Sequence, residues 1–419
     1  MNIFDQMESD VRSYCRSFPV VFNKAKMSDM FTDNGDKYID FFCGAGALNY
    51  GHNNDYIIDR IIDYLRNSGI MHSLDMHTTA KAEFMKCFCD KILKPRNLDY
   101  KLMFCGPTGT NANEAALKIA RKYTGRTNVF SFMGAFHGMS LGSLALTSSD
   151  FSRDGAGVPL GNVTFMPFPF GFNETFDTIG YIENVLNDDH SGIEKPAAIF
   201  CETVQAEGGI IPADKEWLVR LRDLCTRHGI LLVCDEVQVG CGRTGTFFSF
   251  ERAGIAPDMV SLSKSISGSG LPMSLLLIKP EYDCFKPGEH NGTFRGNQLA
   301  FVGAKAAIDF AVETGLYEKV NQKGIIIEKF VRENILPLDS SFEYRGIGLI
   351  HGIDFSKSSV EDACGKIAHE CFSNGLVIER AGRRDDVLKI MPALTIEEDE
   401  LMEGLKIIET SVKNVFGFK

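Results

Sequence analysis

From about residue 100 to residue 280, short runs of apolar, β-branched or aromatic residues alternate with longer amphipathic stretches, a pattern that few folds can accommodate. Such alternation reads as βαβ units, in which a helix returns the chain to a parallel neighbouring strand. Strands are expected at NVFSF (128–132), AAIFCE (197–202), ILLVCDE (230–236), MVSLSK (259–264) and SLLLIK (274–279). Each is apolar almost throughout, as a strand covered on both faces must be. Between two of them, KEWLVRLRDLCTRHG places Trp217, Leu218, Leu221 and Leu224 on one helical stripe and ends at Gly229, which suits a helix stop. The expected class is α/β with a mainly parallel sheet.

After about residue 315 the pattern changes to a helix, a strand pair around YRGIGLIHGIDF, a helix in SSVEDACGKIAHECFSNG and a last helix from Glu397. A chain of 419 residues also exceeds the roughly 250–300 residues that one core sustains. We therefore expect a large domain over 55–315 and a smaller α+β domain over 316–419, with the segment 1–54 packed against the smaller one.

Composition narrows the function. A formal charge of −11 without clustered Lys and Arg argues against binding nucleic acid through its phosphates. The stretch MNIFDQMESDV puts acids where a secretion signal needs a basic start, and no segment offers about 18 uninterrupted apolar residues. A cytoplasmic protein is expected, neither in nor on a membrane. The 12 cysteines are spread through apolar segments and are read as reduced thiols. Their spacing suggests no metal site: Cys87 and Cys89 form CxC, and Cys364, His369 and Cys371 do not share a helical face.

Two motifs are decoys. Gly240, Gly242 and Gly245 match G-x-G-x-x-G, but a dinucleotide site needs a helix to begin among its glycines. The residues that follow, TFFSFERAG, lean towards β structure, so a loop is expected. SLSK (261–264) matches the S-x-x-K of serine acyl enzymes, yet it falls at a strand end with no SDN or KTG elsewhere.

A different pairing carries chemistry. Asp235 ends one expected strand and Lys264 the next, so both should emerge at the carboxyl edge of the sheet, where open α/β folds bind ligands. A buried ion pair would explain them. So would pyridoxal phosphate, which needs a lysine amine for a Schiff base and a carboxylate to keep its pyridine nitrogen protonated. CGPTGTNANEAALKIARKY adds a phosphate cradle, with Thr108, Gly109 and Thr110 just ahead of an Ala-rich helix whose N-terminus favours an anion. Nearby GAFHG (134–138) supplies Phe136, which could cover one face of a ring.

Taken together, NGDKYIDFFCGAGALNYGHNN, PTGTNANEAALKIAR, FHG, ETVQAEGG, CDEVQVGCGRTG, SLSKSISGSGLP, GTFRGNQLA and MPALTIEEDEL resemble the class III (subgroup II) pyridoxal-phosphate aminotransferases of fold type I. The resemblance implies Lys264 as Schiff-base lysine and later acid/base, and Asp235 as pyridinium partner. It implies Val237 on the ring face opposite Phe136, Gln238 at the ring hydroxyl, and His137 and Glu202 near the cofactor. Thr293 would reach the phosphate of a neighbouring subunit, implying a homodimer, or a higher homo-oligomer, with shared active sites. Glu207 resembles the carboxylate that pairs with a substrate-binding arginine.

At that arginine the chain departs from the pattern of ornithine and 4-aminobutyrate aminotransferases: VLKI places Lys389 there. Lysine is a point charge without the bidentate fork that grips a carboxylate, so Arg295, Arg383 and Arg384 join Lys389 as substrate-binding candidates. The departure, with SFPVVFNKAK, GALNYGHNN, LKPRNLDYK and TFRGNQLAF, most resembles the diaminobutyrate–2-oxoglutarate branch of the family, which serves the ectoine pathway. Such an enzyme moves an amino group from glutamate to aspartate 4-semialdehyde. In LDMHTTAK, however, Met76 and His77 stand where that branch is expected to carry Phe-Trp. Other ω-aminotransferases and aminomutases on the same fold are the alternatives, and a nucleotide enzyme using GCGRTG is a remote one.

Overall fold

A computed structural model describes residues 3–171 and 175–418. Near the N-terminus three short strands, β1 (Phe22–Lys26), β2 (Asp29–Thr32) and β3 (Lys37–Asp40), form an antiparallel meander.

The central sheet has seven strands: β4 (Lys101–Phe104), β5 (Val129–Phe132), β6 (Val163–Met166), β7 (Ala198–Cys201), β8 (Leu231–Asp235), β9 (Met259–Leu262) and β10 (Leu275–Ile278). Their spatial order is β4-β10-β9-β8-β7-β5-β6. From β9 to β6 all neighbours are parallel. The five expected strands are present. The two edge strands, β4 and β6, escape the pattern because they are only partly covered.

β10 runs antiparallel to both β9 and β4. Parallel return requires a crossover, usually a helix. The link from Ser263 to Ser274 contains only one short 3₁₀ turn, Lys264–Ser267, so β10 must come straight back.

The sheet is buried on both faces because its strands alternate between two cores. Leu232 and Cys234 join an aromatic-rich cluster with Phe84, Phe88, Phe132 and Trp217. Leu231 and Val233 face Ala112, Ala116 and Ile119 of α1 (Gly109–Thr124). The crossover helix α2 (Lys215–His228) buries Trp217, Leu218, Leu221 and Leu224 and stops at Gly229 in the left-handed conformation. Helix α3 (Gln298–Thr314) packs beside the Lys264 turn. A Cβ at Gly303 would lie 2.7 Å from the Ser267 carbonyl oxygen, so glycine lets helix and turn meet backbone to backbone.

Beyond α3 the chain forms α4 (Leu316–Phe330), the hairpin β11 (Glu343–Ile347) and β12 (Ile350–Asp354), and α5 (Ala363–Ser373). It continues with β13 (Leu376–Val377), β14 (Glu379–Ala381), β15 (Val387–Ile390) and α6 (Glu398–Phe416). β11-β12-β15-β14 is an antiparallel sheet, while β13 pairs in parallel with β3, Leu376 opposite Ile39. Ile39, Phe41, Ile353, Leu388 and Leu405 share one core, which also takes in Ile57, Ile61 and Ala307. All 12 cysteines are free thiols. Among the described residues, no helix is long and apolar enough to cross a membrane.

Candidate active site

The carboxyl ends of β8 and β9 open into a cleft with about 580 Å³ of free volume. Ten sequence-derived residues line it: Gly109, Thr110, Phe136, His137, Glu202, Glu207, Asp235, Val237, Gln238 and Lys264. They converge because α1 begins beside the sheet, the 134–138 turn follows β5, and Asp235 is the last residue of β8. Lys264 lies two residues past β9 and holds a left-handed backbone, φ +52°.

Asp235 is 5% exposed and fully hydrogen-bonded on the protein side. Its Oδ2 accepts from Asn113 Nδ2 at 2.7 Å and pairs with His137 Nδ1 at 2.8 Å, and its Oδ1 accepts from the Val237 N–H at 3.0 Å. Burial alone would lower the His137 imidazole, but the bond and charge of Asp235 overcome it and raise the proton affinity. The adjacent Glu202 accepts from Phe136 N at 2.9 Å, and burial pushes its carboxyl up to about 7. It therefore holds the ring-bearing turn in place.

Lys264 Nζ donates to the Ala45 carbonyl at 2.8 Å, and Gln238 Nε2 donates to the same oxygen at 2.9 Å. Burial pulls the Lys264 ammonium below its ordinary range against the opposing charge of Glu207, which favours the neutral, nucleophilic amine. At the other end of the cleft, Thr110 Oγ1 and Ser140 Oγ lie 2.6 Å apart. A Cβ at Gly109 would stand 2.8 Å from Val237 Cγ1, so the helix start and the strand end meet only because residue 109 has no side chain.

Six predicted residues lie outside the cleft lining: Thr108, Thr293, Arg295, Lys389, Arg383 and Arg384. Thr108 is the exposed N-cap of α1, its N–H bonded to Asn111 Oδ1 at 3.1 Å. Thr293 is exposed, with its carbonyl on His72. Arg295 points elsewhere, with Nη1 on the Phe104 carbonyl at 3.2 Å. Lys389 is fully buried between Glu207 Oε1 at 2.8 Å and Glu379 Oε2 at 2.6 Å. Two acids already occupy its charge, so it is no free cation waiting in the cleft. Arg383, Arg384, Met76 and His77 are exposed.

Sequence reasoning missed Asn113, Ala45 and Glu379. Asn113 had a signal, a polar residue on the buried stripe of an Ala-rich helix. Ala45 had none, since it contributes a carbonyl oxygen from a left-handed turn at φ +54°. The glycine loop at Gly240 starts no regular α-helix; Asn49 Nδ2 reaches the Gly240 and Cys241 carbonyls and fastens it to the N-terminal segment.

The donor set suits pyridoxal phosphate. A buried amine and a buried carboxylate share one cavity, a helix N-terminus opens beside them, and Gln238 Oε1 and Asn113 Oδ1 are buried without partners among the described residues. A mixed seven-stranded sheet carrying these groups at its carboxyl edge defines a fold-type I transferase. The chain belongs to the class-III aminotransferases: that family's model matches residues 12–412. A diaminobutyrate–2-oxoglutarate transaminase of Halalkalibacterium halodurans is 52% identical over 414 residues, covering 99% of this chain and 96% of the relative. One from Bordetella parapertussis is 51% identical over 417 residues, covering 98% and 95%. The solved ornithine aminotransferase of Toxoplasma gondii superposes with a TM-score of 0.87 at 23% identity, covering 99% of this chain and 94% of that one.

Proposed function

We propose that this aminotransferase moves an amino group from L-glutamate to the aldehyde carbon of L-aspartate 4-semialdehyde, giving L-2,4-diaminobutyrate and 2-oxoglutarate. The cofactor is pyridoxal 5'-phosphate. The observation that carries the reading is the meeting of the Lys264 amine and the Asp235 carboxylate in one cleft; the substrates follow from the relatives, about half identical over nearly the whole chain, that bear this activity's name.

When bound, the cofactor serves as an electron sink for the substrate carbon. Asp235, held by Asn113, His137 and Val237 N–H, would keep the proton on the cofactor's ring nitrogen. Thr108, Gly109 and Thr110 would hold the phosphate at the start of α1, and Phe136, Val237 and Gln238 would hold the ring. Lys264 Nζ would accept and return the proton at the substrate carbon, a task suited to an amine whose proton affinity burial has lowered.

The reading extends to a cytoplasmic homodimer that feeds ectoine synthesis. Thr293 reaches the phosphate of the partner subunit, and the exposed Phe294 beside it packs edge-on against His72, joining two exposed loops into one surface. The test is product analysis of the purified enzyme given glutamate and aspartate 4-semialdehyde: 2,4-diaminobutyrate and 2-oxoglutarate in equal amounts are expected, and loss of both in Lys264→Ala. No diaminobutyrate from the unaltered enzyme would overturn the assignment.

A further inference from the structure

Lys389 sits among an uneven number of charges. Its side chain is 0% exposed, that of Glu379 12% and that of Glu207 32%, and of the three only Glu207 lines the cleft. Gln238 Nε2 also donates to Glu207 Oε1 at 3.0 Å, while Tyr14 approaches Glu379 from the N-terminal segment.

Burial raises Glu379 above its ordinary range, and the Lys389 ammonium 2.6 Å away works against that rise. Glu207 is held down to about 2, against burial, by the Lys389 and Lys264 charges. With Lys264 and Asp235 assigned to the cofactor, two carboxylates face one ammonium. One negative charge is left over, and it is presented to the cleft through Glu207. Buried charges are rarely left unbalanced unless something that binds completes them.

We propose that Glu379 is a specificity-determining residue: by sharing Lys389 with Glu207 it leaves the two acids one negative charge in excess, so that the cleft favours amino acids carrying one extra ammonium over those of equal length without it. This rests on the reaction proposed above. The charge count of the substrates fits. L-2,4-diaminobutyrate carries two ammonium groups and one carboxylate, whereas 4-aminobutyrate has the same carbon chain and terminal amine but lacks the second ammonium. Glutamate carries a surplus carboxylate, so the leftover charge opposes it. Glu379 acts through Lys389 and Glu207 and touches no reacting atom.

The test uses the cofactor-loaded enzyme with 2,4-diaminobutyrate, 4-aminobutyrate and glutamate as separate amino donors. The unaltered enzyme should prefer the diamino acid over 4-aminobutyrate in kcat/KM by about tenfold or more, the ratio that one partly screened charge supplies. Glu379→Gln should collapse that ratio and at the same time lower KM for glutamate; Glu379→Asp should keep the ratio. A merely structural defect would weaken all three donors together, so opposite movements are the diagnostic result. The proposal is overturned if Glu379→Gln leaves the ratio unchanged, or if all three donors lose equally. Should that variant fail to fold, the unaltered enzyme decides: a ratio near one refutes the proposal, and a strong preference for the diamino acid supports it. If the unaltered enzyme transaminates none of the three, it is the proposed reaction that fails; if it turns them over indiscriminately, only this inference does.

Discussion

Asp235→Asn is nearly the same size as the residue it replaces, yet it should be among the most damaging changes in the chain. Both carboxylate oxygens are fully engaged: Oδ2 takes Asn113 Nδ2 and His137 Nδ1, and Oδ1 takes the Val237 N–H. An amide turned either way must aim its NH₂ at one of these donors. Leaving a buried donor unsatisfied costs about 1–3 kcal/mol, and removing one member of a buried charged pair about 3–5 kcal/mol, so a loss of roughly 3 kcal/mol is expected. The stability effect has a definite pH dependence. Because Asp235 raises His137 above its ordinary value, the pair stabilises the fold fully below the unfolded imidazole's pKa, about 6.5, and that contribution is lost as pH rises through the raised folded value. Denaturant titrations should therefore show a larger gap between parent and variant at pH 5.5 than at pH 8.5. Turnover, followed as 2-oxoglutarate released from glutamate, should fall ~10²–10³-fold, the usual cost of deleting one preorganised electrostatic contact. A variant that keeps its rate within tenfold, with an unchanged stability gap across pH, would refute both the ring-nitrogen role and the coupling to His137.

Three further outcomes follow from single contacts. In Gly109→Ala the new methyl collides with Val237 Cγ1 and Cγ2, at 2.8 and 2.9 Å; overpacking of this kind costs about 1–3 kcal/mol, so the dissociation constant for pyridoxal phosphate, measured by absorbance titration, should rise ~10-fold. Burial pushes Glu236 up to about 8, so the folded state holds its proton more tightly and stability falls as pH climbs from about 4.5 to about 8; thermal melts of Glu236→Gln should show a weaker fall, and equal slopes would contradict the linkage. Trp217→Ala removes a side chain that packs against Phe132 and Phe168 and donates to Thr178 at 2.7 Å; it should cost about 3–5 kcal/mol in chemical denaturation.

The sheet was legible where strands are covered on both faces, because burial leaves an apolar run that no loop would carry. β4 and β6 were hidden since edge strands need only partial cover, and the reversal of β10 depends on the absence of a helix between Ser263 and Ser274 rather than on any residue within it. Asp235 and Lys264 could be paired from position alone, as ends of successive strands. The hold on Lys389 could not be foreseen: Glu207 and Glu379 are 172 residues apart in sequence, and only the packing of β14 and β15 against the cleft brings both to one ammonium. Arg295 shows the opposite failure, a suitable side chain whose loop directs it to a backbone oxygen instead.

The pairing of β3 with β13 joins Ile39 to Leu376, so a strand already made on the ribosome waits for a partner 337 residues further along the chain. Until residue 377 has emerged, the outer edge of the first meander has no partner and its amides stay open to any passing strand. Closing so long a loop is slow. A nascent chain stalled between residues 278 and 376 would therefore carry all the strands of the central sheet and an unzipped seam, making that stretch of synthesis the interval in which the open edge most needs protection from aggregation.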